Sequence, residues 1–297
     1  MTGTKRATEA KRLRRPITAS RLGMLDASLV PRDRDLVDAL GLVQVATTAQ
    51  LARICFGDAA SDTALRLARR SLQRLREVGL VRRFEDRAFE RRAGAPGYVH
   101  ALTNAGLKLA RTEHGVGVRH RAWQPSYRFL SHALGISEVF ARLIEAERAG
   151  GPQVREFAAE GAAARRYLAP SGESRIIRPD ALVRVAARGI EVSNFVEVDR
   201  GSETSPATIA AKCEAYRNYE LSGEEVRRHG VFPGVLFIVP DGARARAIAQ
   251  TIARLDPDAR ELFAVSLEAD AASVLGRVES PTVPDRAPPL PSHPVVG

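Results

Sequence analysis

A proline directly before an aspartate, Pro179-Asp180, and two carboxylates spaced by one residue, Glu197 and Asp199, constrain this chain more than any other feature. Proline has no amide hydrogen for a ladder and breaks helices, so Asp180 is expected at the head of a strand over 181–185. The apolar run 195–198 reads as a second strand, and period-two alternation puts Glu197 and Asp199 on one of its faces. If the two strands pair, three carboxylates converge at one end of a sheet. They repel one another, so without a cation the arrangement is costly, and Mg²⁺ or Mn²⁺ would relieve it. Lys212 lies on the next helix, expected over 206–221. Acidic oxygens around Mg²⁺, with a cation beside an activated water, are what hydrolysis of a phosphodiester requires.

Composition narrows the setting. A length of 297 residues allows two domains, and 44% apolar content is enough for each to bury a core. No apolar run approaches the roughly 18 residues of a membrane helix, so no membrane partner is expected. The basic amino terminus lacks the apolar segment of a secretory signal. Two cysteines, Cys55 and Cys213, are too few for a disulfide framework or a zinc site, which points to the cytoplasm. The net charge of +10 is unevenly distributed: residues 1–130 hold 25 Lys+Arg against 12 Asp+Glu, and the remainder 20 against 23. The first part is therefore expected to meet a polyanion.

Residues 1–30, with Lys5, Arg6, Lys11, Arg12, Arg14 and Arg15, read as a disordered basic arm. Within 31–112, helices are expected over 33–42, from a capping box at Thr47 and Gln50 through Cys55, and from Ser61 or Asp62 to Val78. On the third helix Leu65, Ala68, Leu72 and Leu75 form the apolar stripe, and Gly79 ends it. Strands over 80–84 and 98–102 flank a Gly/Arg-rich excursion, and Thr103 opens a further helix. Three short helices followed by a basic hairpin make a winged helix-turn-helix. The third helix would enter the major groove of double-stranded DNA with Thr63, Arg66, Arg70, Gln73 and Arg74. Arg82, Arg83, Arg91 and Arg92 of the wing would lie over phosphates or the minor groove.

A linker near 111–125 precedes a second unit, 127–270, and a Pro-rich tail, 279–297, follows it. The expected elements are a helix over 131–149, strands at 154–158, 181–185 and 195–198, the helix 206–221, a strand at 235–239, a helix at 243–255 and a strand at 262–266. This order, α-β-β-β-α-β, is that of the restriction-endonuclease-like core, so the fold class is α+β or α/β. No phosphate-binding G-x-x-x-x-G-K-[ST] loop occurs, so no nucleotide cofactor is expected. Tyr216 and Tyr219 read as core or rim aromatics, because no His-hydrophobic-His metal site accompanies them. His132 reads as a capping or core histidine, and 202–204 as a helix cap.

The second unit resembles the PD-(D/E)XK nucleases. That resemblance implies that Asp180 and Glu197 hold Mg²⁺ and that a lysine two positions after the strand acid assists the attacking water. Asp199 stands in that position here, a departure that leaves Lys212 as a relocated lysine. Glu138, on the preceding helix, would be an outer metal ligand. Over about 35–265 the chain is also similar to the replication-relaxation family of plasmid and actinobacterial proteins. The phrases that carry this are Thr-Thr-Ala-Gln-Leu-Ala-Arg, Leu-Arg-Glu-Val-Gly-Leu-Val, Arg-Pro-Asp-Ala, Val-Glu-Val-Asp-Arg-Gly-Ser-Glu-Thr and Val-Leu-Phe-Ile-Val-Pro. This second resemblance implies a sequence-directed DNA-binding protein of plasmid replication or mobilisation, with a homodimer as one candidate assembly, while the nuclease resemblance implies Asp180, Glu197, Asp199 and Lys212 as the catalytic set. Two alternatives remain at this point: an inactive accessory protein whose second unit makes protein contacts, and a winged-helix transcriptional regulator.

Overall fold

The computed structural model describes residues 18–84, 97–110, 127–169, 171–200 and 205–277, and four helices lead the described residues. They are α1 (Ala19–Ser28), α2 (Pro31–Val43), α3 (Thr48–Phe56) and α4 (Ser61–Glu77). Each start has a chemical cause. Pro31 occupies the first turn of α2, where a missing amide costs nothing. Thr47 and Gln50 form the reciprocal capping box of α3: Thr47 Oγ1 accepts the Gln50 N–H at 3.1 Å and Gln50 Oε1 accepts the Thr47 N–H at 3.0 Å. Gly79, at φ +81°, takes the left-handed conformation that lets the chain leave α4.

Two expectations need correction here. Residues 18–28 are not disordered: Thr18 caps α1, and Arg34 on α2 holds the Asp26 carboxylate. The rest of the arm, 1–17, lies outside the described residues. The buried stripe of α4 is Ala64, Ala68, Ser71, Leu72 and Leu75, and Leu65 sits at its edge. The small Ala64 lets α4 lie close to its neighbours while Leu65 packs from the side.

Three short strands, β1 (Val45–Thr47), β2 (Val81–Arg83) and β3 (Val99–Leu102), form an antiparallel sheet in the order β1-β3-β2. Helix α5 (Asn104–Leu109) follows, capped by Thr103. Within α5, Gly106 passes so close to β2 that a Cβ would stand 2.2 Å from the Leu80 carbonyl oxygen. The junction 85–96 and the linker 111–126 lie outside the described residues.

The second half opens with α6 (Tyr127–Arg148) and a five-stranded mixed sheet of order β10-β9-β8-β7-β4. Its strands are β4 (Gln153–Ala159), β7 (Ala181–Ala187), β8 (Ile190–Val198), β9 (Gly234–Val239) and β10 (Phe263–Leu267). β4, β7 and β8 are antiparallel; β9 and β10 join in parallel after α7 (Pro206–Leu221) and α9 (Gly242–Ile252). A two-stranded ribbon, β5 (Arg165–Leu168) and β6 (Ser174–Ile177), is inserted between β4 and β7, and α8 (Glu224–His229) follows α7. The sequence pattern shows neither: four-residue strands and a six-residue helix are too short for periodicity to register. Two further short helices, α10 (Pro257–Arg260) and α11 (Ala271–Leu275), complete the described chain.

Alternation divides the sheet. Val183, Val185, Val196, Val198, Leu236 and Ile238 face α6 and α11. Leu182, Phe195, Val235, Phe237 and Val239 face α7 and α9, against Ile209, Cys213, Tyr216, Tyr219 and Ile248. The first of these cores runs without a break into that of α2, α3 and α4, so α6 is a wall shared by both halves. Polar bonds reinforce the shared wall: Ser137 Oγ donates to the Val45 carbonyl at 2.5 Å and Gln50 Nε2 to the Leu134 carbonyl at 3.0 Å. Arg53 of α3 bonds both oxygens of Glu138, at 2.8 and 2.9 Å, and Glu145 at 2.6 Å. No helix among the described residues is long and apolar enough to cross a membrane.

Arg53→Ala would leave the mostly buried Glu138 without its main partner, and a loss of about 1–3 kcal/mol is expected. Glu145→Ala removes only the more exposed partner and should cost less than about 1 kcal/mol. Urea unfolding of both variants beside the wild type checks the order.

Candidate functional site

β7 and β8 pair with Ala181 opposite Val196, so one further step of the register sets Asp180 directly across from Glu197. Opposed positions in an antiparallel pair share a face, and like charges there are unfavourable. The surrounding groups answer that problem one by one. Asp180 Oδ2 accepts the Val198 N–H at 2.7 Å, and Oδ1 lies 3.0 Å from His132 Nε2 on α6. Gly135, one turn along α6, makes the approach possible: a Cβ there would stand 2.8 Å from Val198 Cγ1.

Glu197 is 2% exposed, in the core between β8 and α7. Ser205 caps α7 through the Thr208 N–H, and Ile209, Cys213 and Tyr216 turn its apolar side to the sheet. The expected cap at 202–204 lies outside the described residues, and Ser205 does the capping. Lys212 and Tyr216 are four residues apart, so both reach the same spot. Lys212 Nζ donates to Glu197 Oε2 at 2.5 Å, and Tyr216 Oη donates to Oε1 at 2.5 Å.

Burial, and then the charge of Asp180, push the Glu197 carboxyl up to about 7 even though Lys212 and Tyr216 favour its ionised form. Lys212 itself is raised: burial alone would lower it, but Glu197 and Asp180 outweigh that. His132 is raised in the same manner, with the Asp180 contact overcoming burial. Glu160, just after β4, is raised mainly by burial, and it feels the charges of His132 and Asp180. Its backbone N–H donates to the Asp180 carbonyl at 2.8 Å. Its side chain accepts from Gln44 Nε2, between α2 and β1, at 2.9 Å. Both Gln44 (φ 66°) and Glu160 (φ 47°) hold left-handed conformations unusual for non-glycine residues, each costing on the order of 1 kcal/mol or more. The contact ties the first half of the chain to the site.

The structure thus brings Asp180, Glu197 and Lys212 together and adds His132, Glu160 and Tyr216, which sequence reasoning assigned elsewhere or passed over. Asp199 lies beside this group but is engaged by Arg244 of α9 at 2.7 Å. Glu138 is not with them. It stands six residues after His132, about 240° around the helix, and is held by Arg53, Gln50 and Arg142. That correction follows from α6 having two working faces, one against each half of the chain. Among the described residues no group of three or more His, Cys, Asp or Glu forms a metal-ion cage.

The expected DNA-facing residues are distributed unevenly. Arg66, Arg70, Gln73 and Arg74 are exposed on α4, together with Arg69, which the sequence reading passed over. Thr63 accepts from Arg66 at 3.1 Å, Gln73 donates to Glu77, and Arg74 is paired with Asp33 at 2.7 Å. Arg82 and Arg83 are half-buried, lying 5.0 Å and 4.1 Å over the rings of Phe84 and Tyr98. Stacking holds their stems to the sheet, an arrangement that spacing alone could not reveal. Arg91 and Arg92 lie outside the described residues.

The raised carboxyl and imidazole have one sign in common. A group whose folded pKa exceeds its unfolded value stabilises below the unfolded value and loses that contribution as pH rises through the folded one. Thermal stability in EDTA is therefore expected to fall between about pH 5 and about pH 8. Glu197→Gln should flatten most of that slope; an unchanged slope would assign the titration to other groups.

The replication-relaxation family matches over residues 38–235, from within α2 into β9, more than half of the sequence. No curated protein and no solved structure matches. The matched span takes in α4, the shared helix α6, and the strands and helix that carry Asp180, Glu197 and Lys212. The chain belongs to the replication-relaxation family.

Proposed function

We propose that this chain binds double-stranded DNA in the replication or mobilisation of plasmids and related elements, and cleaves it at the Asp180–Glu197–Lys212 centre with a divalent cation. Family membership points to replication of plasmids or mobile elements. The order α2-β1-α3-α4-β2-β3, with the sheet arranged β1-β3-β2, supports the winged-helix reading, in which α4 would be the recognition helix. The order α6-β4-β7-β8-α7-β9, leaving aside the inserted ribbon and α8, supports the restriction-endonuclease-like reading. One observation carries the catalytic part: two carboxylates and a lysine from β7, β8 and α7 meet at one end of the sheet.

Mg²⁺ is commonly held by one or two carboxylates and completed by waters and substrate phosphate, and binding it here would require Asp180 and Glu197 to exchange protein donors they now meet. Asp180 and Glu197 would hold it, and it would supply an acidified water and charge neutralisation at the phosphate. The protein's own groups do the rest. The Val198 N–H and His132 fix the Asp180 carboxylate, and Tyr216 fixes that of Glu197. Lys212 carries the positive charge that offsets the charge developing on the phosphate oxygens as the new bond to water forms and the bond to the deoxyribose oxygen breaks. Asp199, in the usual lysine position, is neutralised by Arg244 and has no such part.

A second reading, a binding protein that does not cut, is favoured by a specific observation: all four oxygens of Asp180 and Glu197 already meet protein donors. Supercoiled plasmid incubated with Mg²⁺, Mn²⁺ or EDTA separates the two. Metal-dependent nicking or linearisation is expected, with a loss of about 100-fold or more in Asp180→Asn/Glu197→Gln. Intact plasmid under every condition, with retardation in a gel, would leave the binding role alone. Arg66→Ala/Arg70→Ala should weaken binding and reduce the slope of log affinity against log salt by about 1.8.

A further inference from the structure

We infer that the β5–β6 ribbon is a second DNA-contacting element, which lays its outer face on the duplex beside the Asp180 centre. This inference rests on the DNA-binding reading above and adds to it a surface outside the winged helix. The ribbon is an insertion between β4 and β7, and its second strand ends at Ile177, from which Arg178 and Pro179 lead straight to Asp180. Whatever lies against it lies next to the candidate scissile phosphate.

Register sorts its side chains. The pairs Arg165↔Ile177 and Tyr167↔Arg175 share one face, and Arg166↔Ile176 and Leu168↔Ser174 the other. The first face is anchored. Tyr167 and Ile177 are buried, Tyr167 packs 5.1 Å from the ring of Tyr219, and Arg165 bonds the buried Glu225 at 3.0 Å. The second face is open, with Leu168 66% and Ile176 37% exposed. Arg166 is exposed beside them, and the exposed Arg178 follows directly after the last residue of β6. No acid occupies this outer face. Arg178 has no ion pair or hydrogen bond among the described residues, and Arg166 meets only the Ser174 hydroxyl. The one acid of the ribbon turn, Glu173, is paired with Arg175.

Such a surface fits DNA by charge and by shape. Two uncompensated arginines bracket two apolar side chains within a half of the chain that has more acids than bases. A two-stranded ribbon is narrow enough for the major groove. Arginines would meet phosphates while Leu168 and Ile176 lie against sugar or thymine methyl groups. The anchored inner face means that the ribbon is presented already ordered, so little conformational entropy is lost on contact.

The test uses the full chain, a short duplex labelled with fluorescein, and anisotropy over a range of salt concentrations. Arg166→Ala/Arg178→Ala is expected to bind at least 10-fold more weakly, with the salt slope reduced by about 1.8. Unchanged affinity and slope, in a variant whose circular dichroism matches wild type, would overturn the inference while binding that still responds to Arg66→Ala/Arg70→Ala keeps the winged-helix reading. Failure of the wild type to bind any duplex would remove both. Leu168→Ser/Ile176→Ser gives an independent check by sedimentation velocity. If it turns a wild-type dimer into a monomer and leaves DNA affinity unchanged, the face joins two copies of the chain and the inference is wrong.

Discussion

A carboxylate buried opposite another carboxylate is the constraint around which the second half of this molecule is arranged. Glu197 is nearly inaccessible to water and Asp180 stands across from it on the neighbouring strand. An unpaired charge there would cost several kcal/mol or more. Lys212 and Tyr216 reach it from α7 and the Val198 N–H and His132 hold its neighbour, so strand pairing and helix packing must both be correct before the charges are compensated. Natural proteins keep such arrangements chiefly at functional sites, where strain and perturbed pKa values concentrate. The left-handed Gln44 and Glu160, bonded to each other at the border of the same cluster, belong to that pattern.

Helix α6 gives the two halves a common frame. One side carries Glu138 and Ser137 toward α3 and β1, and the other carries His132 and Gly135 toward the end of the sheet. A single apolar core continues from the first helices through α6 into the sheet, so the two halves share one packed interior. The halves have opposite charge balances, yet ion pairs at Arg53 and the bond from Gln44 cross between them. The basic surface of α4 and the acidic cluster are thus parts of one folded body.

Much of the local structure was legible in the residues. The Thr47–Gln50 capping box, Gly79 after α4, Thr103 before α5 and the apolar strand 234–239 are all dictated within a few neighbours. The strand positions of Asp180 and Glu197 were legible too, because Pro179 marks a strand start and the acids keep period-two spacing, but that the two strands pair and bring the acids together is seen only in the register. The ribbon β5–β6 and helix α8 were not, since elements of four to six residues leave no periodic trace. Nor was α1, whose few apolar residues follow a strongly basic stretch that dominates any reading of composition.

What the sequence determined by itself was most of the longer elements, the uneven charge and the presence of carboxylates at strand positions, because propensity, capping and alternation act over a few residues. Which groups compensate those carboxylates was decided only in three dimensions. Glu138 and His132 sit on the same helix, and nothing in their spacing says which of the two meets the sheet. The answer depends on how α6 is rotated between its two neighbours, with Gly135 admitting Val198 on one side and Arg53 claiming Glu138 on the other. Tertiary packing sets that rotation, and with it the identity of the site.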